Sequence, residues 1–168
     1  MTATPVILRR GKAGRRVPSH EGIILENGIH MNVFNTRIYE ADSPFFEGKL
    51  TSLIIPTADG AYGIQALHRN LVIATVPGIM KYRIPNDPKL YTAAVSEGMV
   101  RIEDGDVLVL VNTAERPEEI DAERARARAE EAREIMLQKR SLQEYYSAEA
   151  TLRRAMVRLK ASGTHDIN

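Results

Sequence analysis

The chain has no cysteine among its 168 residues. That removes any disulfide framework and any thiolate chemistry, and it suits a reducing cytoplasm. It also lacks an excess of either charge: 23 Lys and Arg stand against 22 Asp and Glu, a formal +1. So balanced a molecule has no general attraction to nucleic acid or acidic membranes. No apolar run approaches the roughly 20 residues that span a bilayer. The four histidines, His20, His30, His68 and His165, are scattered without metal-ligand spacing. No G-x-x-x-x-G-K-S/T loop occurs, so a nucleotide would have to be held without the usual glycine cradle. No nucleophile, base and orienting acid cluster at a spacing that would make the chain an enzyme in its own right.

What is present is an ordinary globular composition, 43% hydrophobic and 27% charged, in a length that suits one domain or two small ones. The first thirty residues stand apart. "MTATPVILRRGKAGRRVPSHEGIILENGIH" carries two Arg pairs and only short apolar runs, too short for a signal-peptide core. Residues 1–30 are expected to be a poorly ordered extension, or to precede a natural start at Met31; a basic arm for RNA or lipid is the lesser reading.

From Met31 to about Asn112 the rhythm is that of an all-β domain. "SLIIP", "NLVIATVPG", "IMKYRI", "LYTAAVSEG", "MVRIEDG" and "DVLVLVN" are β-rich runs. Gly48, Gly60, Gly63, Gly78, Gly98 and Gly105 are expected between the runs, where turns and bulges fall. Asp104-Gly105 is the clearest hairpin turn. Strands so spaced predict a β-sandwich over residues 31–113. From Pro117 the period becomes helical, with Pro in the first turn and acidic residues behind it, where the helix dipole favours them. One helix is expected from Pro117 to about Lys139 and a second from about Tyr145 to Lys160, with a polar break at "KRSLQE". So short a break predicts an antiparallel hairpin over residues 117–162.

The faces of these helices decide what the hairpin can do. Ala148, Leu152, Ala155 and Leu159 form one apolar stripe on the second helix. Asp121, Ala125, Ala129, Ala132 and Met136 form a narrow face on the first. Folding the chain near residue 141 sets Arg124 level with residues 158–159 and Arg128 level with 154–155. Arg124, Arg128, Arg154 and Arg158 then gather at the base of the hairpin, while Arg126 and Arg133 point away. Four guanidiniums so close need neutralising. Either Asp121 and Glu131 bridge them, or a polyphosphate does, because the planar guanidinium binds phosphate oxygens in pairs.

"IDAERA", residues 120–125, resembles the I/L-D-x-x-R-A signature of the epsilon subunit of bacterial F-type ATP synthase. "FFEGKLTSLIIPTADGAYGI", "GMVRIEDGDVLVLVNTAERPEEID" and "RRAMVRL" follow in that family's order and spacing, from Met31 to about Ser162. The resemblance implies an N-terminal β-sandwich, which binds the gamma subunit and sits on the rotor ring of c subunits, and a C-terminal helical hairpin. It implies a non-catalytic central-stalk subunit, peripheral at the cytoplasmic face of the cell membrane. The hairpin would extend into the alpha and beta subunits and block ATP hydrolysis, and regulatory ATP would hold it down. No cofactor is required by this role, and no nucleic acid partner is implied.

Carried over by position, the family's ATP-contacting pattern falls on Glu115, Ile120, Asp121, Arg124, Ala125, Arg154 and Arg158. Where the best ATP binders have another arginine this chain has Glu131; Arg128, one turn earlier, is the residue that could compensate. Weaker ATP binding is the expectation. "YGIQALHRNL" keeps Gly63, Ile64, His68 and Leu71 of the family's ring-facing loop but lacks its prolines. His68 is expected to be a loop or interface residue. The rival reading is a stand-alone adaptor, its sandwich docking one partner and its hairpin another.

Overall fold

The computed structural model describes residues 22–24, 30–41, 43–138 and 141–165. Most of the 1–30 extension therefore lies outside the described residues. Within it, β1 (Gly22–Ile24) pairs antiparallel with β2 (His30–Asn32), two strands that the sequence reading did not place.

Ten further strands form two five-stranded sheets. The first has the order β4-β3-β11-β10-β7, built from β3 (Phe34–Glu40), β4 (Ser43–Leu50), β7 (Leu71–Thr75), β10 (Gly98–Glu103) and β11 (Asp106–Val111). The second has the order β12-β9-β8-β5-β6, from β5 (Ser52–Thr57), β6 (Gly60–Ile64), β8 (Gly78–Arg83), β9 (Tyr91–Val95) and β12 (Ala114–Glu115). Neighbours are antiparallel except for β3 and β11, which run parallel.

Period-two patterning explains the packing. Along β3, Phe34, Thr36 and Ile38 are buried while Asn35 and Arg37 face out. Along β11, Val107, Val109 and Val111 point inward and Leu110 outward. Ile38, Leu50, Leu53, Ile55, Ile64, Met80, Val100 and Ile102 close the core between the sheets. Each such fully buried aliphatic side chain contributes about 1.5–3 kcal/mol. The result is the expected sandwich.

The β10–β11 hairpin turns where the sequence predicts it. Asp104 and Gly105 both have positive φ, 50° and 87°, as a two-residue turn matching the strand twist requires. Gly60, at φ 120° where β5 turns into β6, is also as expected, but four glycines need correcting. Gly48 and Gly63 lie inside β4 and β6, and Gly78 and Gly98 open β8 and β10. At Gly98 the reason is close approach: a Cβ there would overlap the carbonyl oxygen of Leu110 across the ladder.

The helical region starts later than the sequence suggests. Pro117–Glu119 forms only a short 3-10 turn, and Ile120 returns to extended backbone, φ −80° and ψ 120°. Asp121 then caps α1 (Ala122–Gln138): its Oδ1 accepts the Arg124 backbone N–H at 2.9 Å. An aspartate at that position favours a helix start over a helix interior. The second helix starts earlier than expected, as α2 (Leu142–His165). Ser141 caps it, with Oγ accepting the Glu144 N–H at 3.1 Å, so "SLQE" is a helix start rather than a break.

α1 and α2 pack together as the expected hairpin, and α2 also rests on β8, β9 and the 3-10 turn. The contact is made by small residues. Ala125, Ala129 and Ala132 of α1 and Ala148, Ala155 and Ala161 of α2 are buried, with Leu152, Leu159 and Met136 only partly so.

Gly98→Ala is expected to destabilise the sandwich by about 1–3 kcal/mol, the range for overpacking. Gly63→Ala, where a Cβ meets nothing within 4 Å, is the comparison and should cost far less. Urea unfolding of the two variants checks this.

Candidate anion-binding cleft

The base of the hairpin holds a cleft of about 360 Å³. Its walls are Arg124, Ala125 and Arg128 from α1, Thr151, Arg154, Ala155 and Arg158 from α2, and Glu115, Glu119 and Asp121 from the connecting segment. Seven of the eight residues singled out in the sequence thus meet: Glu115, Asp121, Arg124, Ala125, Arg128, Arg154 and Arg158. Ile120 is not in the lining; it is partly buried at the end of the 3-10 turn.

The four arginines divide into two pairs. On α2, Arg158 grips Glu115 of β12: its Nε donates to both carboxylate oxygens, at 2.9 and 3.0 Å, and Nη2 donates to Oε1. These side chains are 26% and 28% exposed, so the pair is about three-quarters withdrawn from water. The carboxylate raises the Arg158 pKa further above its usual value, opposed by partial burial. Arg154 reaches Glu97 at 3.5 Å and the Thr151 hydroxyl at 3.4 Å. On α1, the Arg124 and Arg128 side chains are exposed and make no hydrogen bond or ion pair among the described residues.

Internal bridging therefore does not follow the expected pattern. Asp121 is used by the backbone of Arg124, as its cap, and Glu131 bridges neither arginine. The ion pairs formed on α1, Arg126 with Glu123 and Arg133 with Glu130, lie on the side expected to face away. Glu131 lines a neighbouring groove with Ile135, Glu144 and Ser147, nearer the hairpin tip, and is not among the cleft walls. Its repulsion of an anion in the cleft is correspondingly reduced.

Two contributors escaped the sequence reading. Glu97 reaches Arg154 across 57 positions from the β9–β10 turn, and no local pattern encodes such a partner. Glu119 had a visible signal, the spacing from Arg116. Its Oε2 accepts the Arg116 N–H at 3.0 Å and its Oε1 the Arg116 Nη1–H at 3.1 Å. Arg116 also donates to the Phe45 carbonyl oxygen at 3.2 Å and lies over the Phe45 ring, which ties the turn to β4.

His68 sits in the loop between β6 and β7. The Tyr62 hydroxyl donates to its Nε2 at 3.1 Å and its Nδ1–H donates to the Arg69 carbonyl at 2.9 Å. Among the described residues no group of His, Asp and Glu could hold a metal ion, and no helix is long and apolar enough to cross a membrane.

Comparison with known proteins gives a consistent result. Residues 33–117 match the family described as ATP synthase, Delta/Epsilon chain, beta-sandwich domain, and residues 118–163 match its long alpha-helix domain. The ATP synthase epsilon chain of Ruminiclostridium cellulolyticum is 37% identical over 132 residues, covering 79% of this chain and 97% of that one. That of Trichodesmium erythraeum is 36% identical over 130 residues, covering 76% and 93%. A chain from the Euglena gracilis mitochondrial ATP synthase structure (OSCP/F1/c-ring) superposes with a TM-score of 0.68 at 21% identity. The overlap covers 88% of this chain and 89% of that one, and is a likeness of fold.

The turn carries its own pH dependence. Hydrogen bonding from the Arg116 backbone holds the Glu119 carboxyl below its ordinary 4.5, with the Arg116 guanidinium acting in the same direction. A depressed folded pKa means the contribution is complete above 4.5 and is lost as pH falls through the lower folded value. The protection of the Arg116 amide, its exchange rate relative to the intrinsic rate at each pH, is expected to hold at pH 5 and to fall as Glu119 protonates, while Glu119→Gln should show little protection throughout.

Proposed function

We infer the function from one premise: the chain belongs to the ATP synthase epsilon-chain family. As an epsilon subunit it is a part of the rotary ATP synthase, and its place there is the central stalk. Within the complex it acts without catalysing, as a rotor component whose hairpin restrains ATP hydrolysis and responds to ATP. Folded, the hairpin lies on the sandwich; extended, it reaches the alpha and beta subunits. The complex sets the location, peripheral at the cytoplasmic face of the membrane.

The observation that carries the ATP response is the cleft. Arg124 and Arg128, which have no anionic partner among the described residues, face two more guanidiniums on α2 across a space of about 360 Å³, within the usual size range of small-molecule sites. Arg124, Arg128, Arg154 and Arg158 take the phosphates, and Asp121 and Ala125 frame the nucleoside, with Ile120 outside the lining. ATP shifts the hairpin equilibrium only through its difference in affinity for the two states, tenfold for each 1.4 kcal/mol.

The sandwich supplies the stalk contacts. On the outer face of the first sheet Met99 stands opposite Leu110 on one side and Ala74 on the other, with Val72 nearby, and all four are exposed. This apolar row suits docking to the gamma subunit. The loop with Leu67 at its tip, 59% exposed and at φ 68°, suits the ring of c subunits.

Two experiments test this. Calorimetric titration of the purified chain with ATP should show binding that Arg128→Ala weakens about tenfold or more, the scale of one hydrogen bond to a charged group. Micromolar affinity surviving Arg128→Ala would refute the role given to that residue. ATP hydrolysis by the purified complex should rise when residues 117–168 are removed. An unchanged rate leaves the stalk role and eliminates the brake.

A further inference from the structure

Arg154 and Arg158 both form ion pairs that cross from the hairpin to the sandwich, and the two have the same polarity. The cations, Arg154 and Arg158, lie one turn apart on α2 and so share a face. The carboxylates belong to the sandwich: Glu97 in the β9–β10 turn and Glu115 in β12. The Arg158–Glu115 pair is the stronger, with three hydrogen bonds and both partners about three-quarters shielded from water. Beside them Val157 of α2 borders Ala94 and Val95 of the sandwich and is only partly covered.

Arg154 and Arg158 are also walls of the cleft. Their sandwich carboxylates therefore occupy, in the unliganded chain, the groups an entering phosphate would seek. Glu115 takes only the Nε and Nη2 donors of Arg158, so Nη1 remains for a phosphate and the tie between hairpin and sandwich can persist as the cleft fills. Among the described residues Arg124 and Arg128 have no such competitor.

We propose that Glu115 and Glu97 form a carboxylate latch that holds α2 against the sandwich with no nucleotide bound, so that this chain's hairpin is closed by its own ion pairs. The inference rests on the reading that the hairpin leaves the sandwich during function. It does not depend on ATP binding, and its test contains no nucleotide. A chain latched this way already favours the folded form without ATP, and ATP adds to that bias rather than creating it.

The absence of cysteine makes the test clean, because two introduced cysteines are the only labelling sites. Spin labels at Leu137, 79% exposed near the hairpin tip, and at Asp59, on the β5–β6 turn, report the hairpin-to-sandwich distance by pulsed EPR in the full chain. The otherwise unaltered chain should show one closed population without nucleotide. Glu115→Gln should raise the released fraction about tenfold, and Glu97→Gln should raise it less. Combining Glu115→Arg with Arg158→Glu should restore closure by reversing the pair. If Glu115→Gln loses the sandwich fold, a sodium chloride titration of the labelled chain to 1 M decides, since partly exposed pairs are screened there. A distance distribution unmoved by Glu115→Gln, closure that the reversed pair does not recover, or, in the fallback, closure untouched by 1 M salt overturns the latch. Failure of ATP to bind would leave the latch standing.

Discussion

Every hairpin side chain that is fully shielded from water, among the described residues, is an alanine. That constraint governs how the two helices relate to each other and to the sandwich. Alanines let the backbones approach closely, yet each removes little apolar area from water, at about 25 cal/mol per Å². Alanine, glutamate and arginine have high helix propensity, so α1 gains stability that does not depend on its neighbours. Intact helices over a weak apolar seam form an element that can move as a body. The balance between its positions then passes to the charges at its base.

Those charges are arranged unequally. At the cleft, α2 carries Arg154 and Arg158, matched to sandwich carboxylates, while Arg124 and Arg128 of α1 have no carboxylate partner among the described residues. Asp121 sits where the two functions meet. By capping α1 with its carboxylate it fixes the helix start at Ala122 and so sets the angular position of Arg124 and Arg128. Upstream, Arg116 and Glu119 keep the turn attached to β4, and the extended residue Ile120 separates that anchored turn from the helix. Under the proposed motion of the hairpin, the rotation would fall on the short stretch about Ile120 and Asp121.

Much of this was legible in the sequence. The alternation in "DVLVLV" and the Asp104-Gly105 turn specify the β10–β11 hairpin, because side-chain period and backbone sign are local properties. Folding the helical region near residue 141 was enough to bring Arg124, Arg128, Arg154 and Arg158 into one cleft. Helix ends were read less well. Pro117 suits a helix start, but Asp121 competes for the cap and prevails; Ser141 and Glu144 formed a start signal inside what looked like a polar break. Strands β3, β4 and β6 were not read from the sequence as separate runs. The Glu97 partner of Arg154 was illegible for a deeper reason: it depends on how β9 and β10 turn beneath α2, which is a tertiary fact. The same holds for Glu131, whose place outside the cleft follows from its position along the hairpin and not from its charge.

The central claim is that the hairpin's position on the sandwich determines whether the complex hydrolyses ATP. A disulfide engineered between α2 and β9, which pack together in the folded form, fixes that position in an otherwise cysteine-free chain. Hydrolysis by the assembled complex should be faster with the disulfide oxidised than with it reduced, because the locked hairpin cannot reach the catalytic subunits. Equal rates in the two redox states would contradict the account.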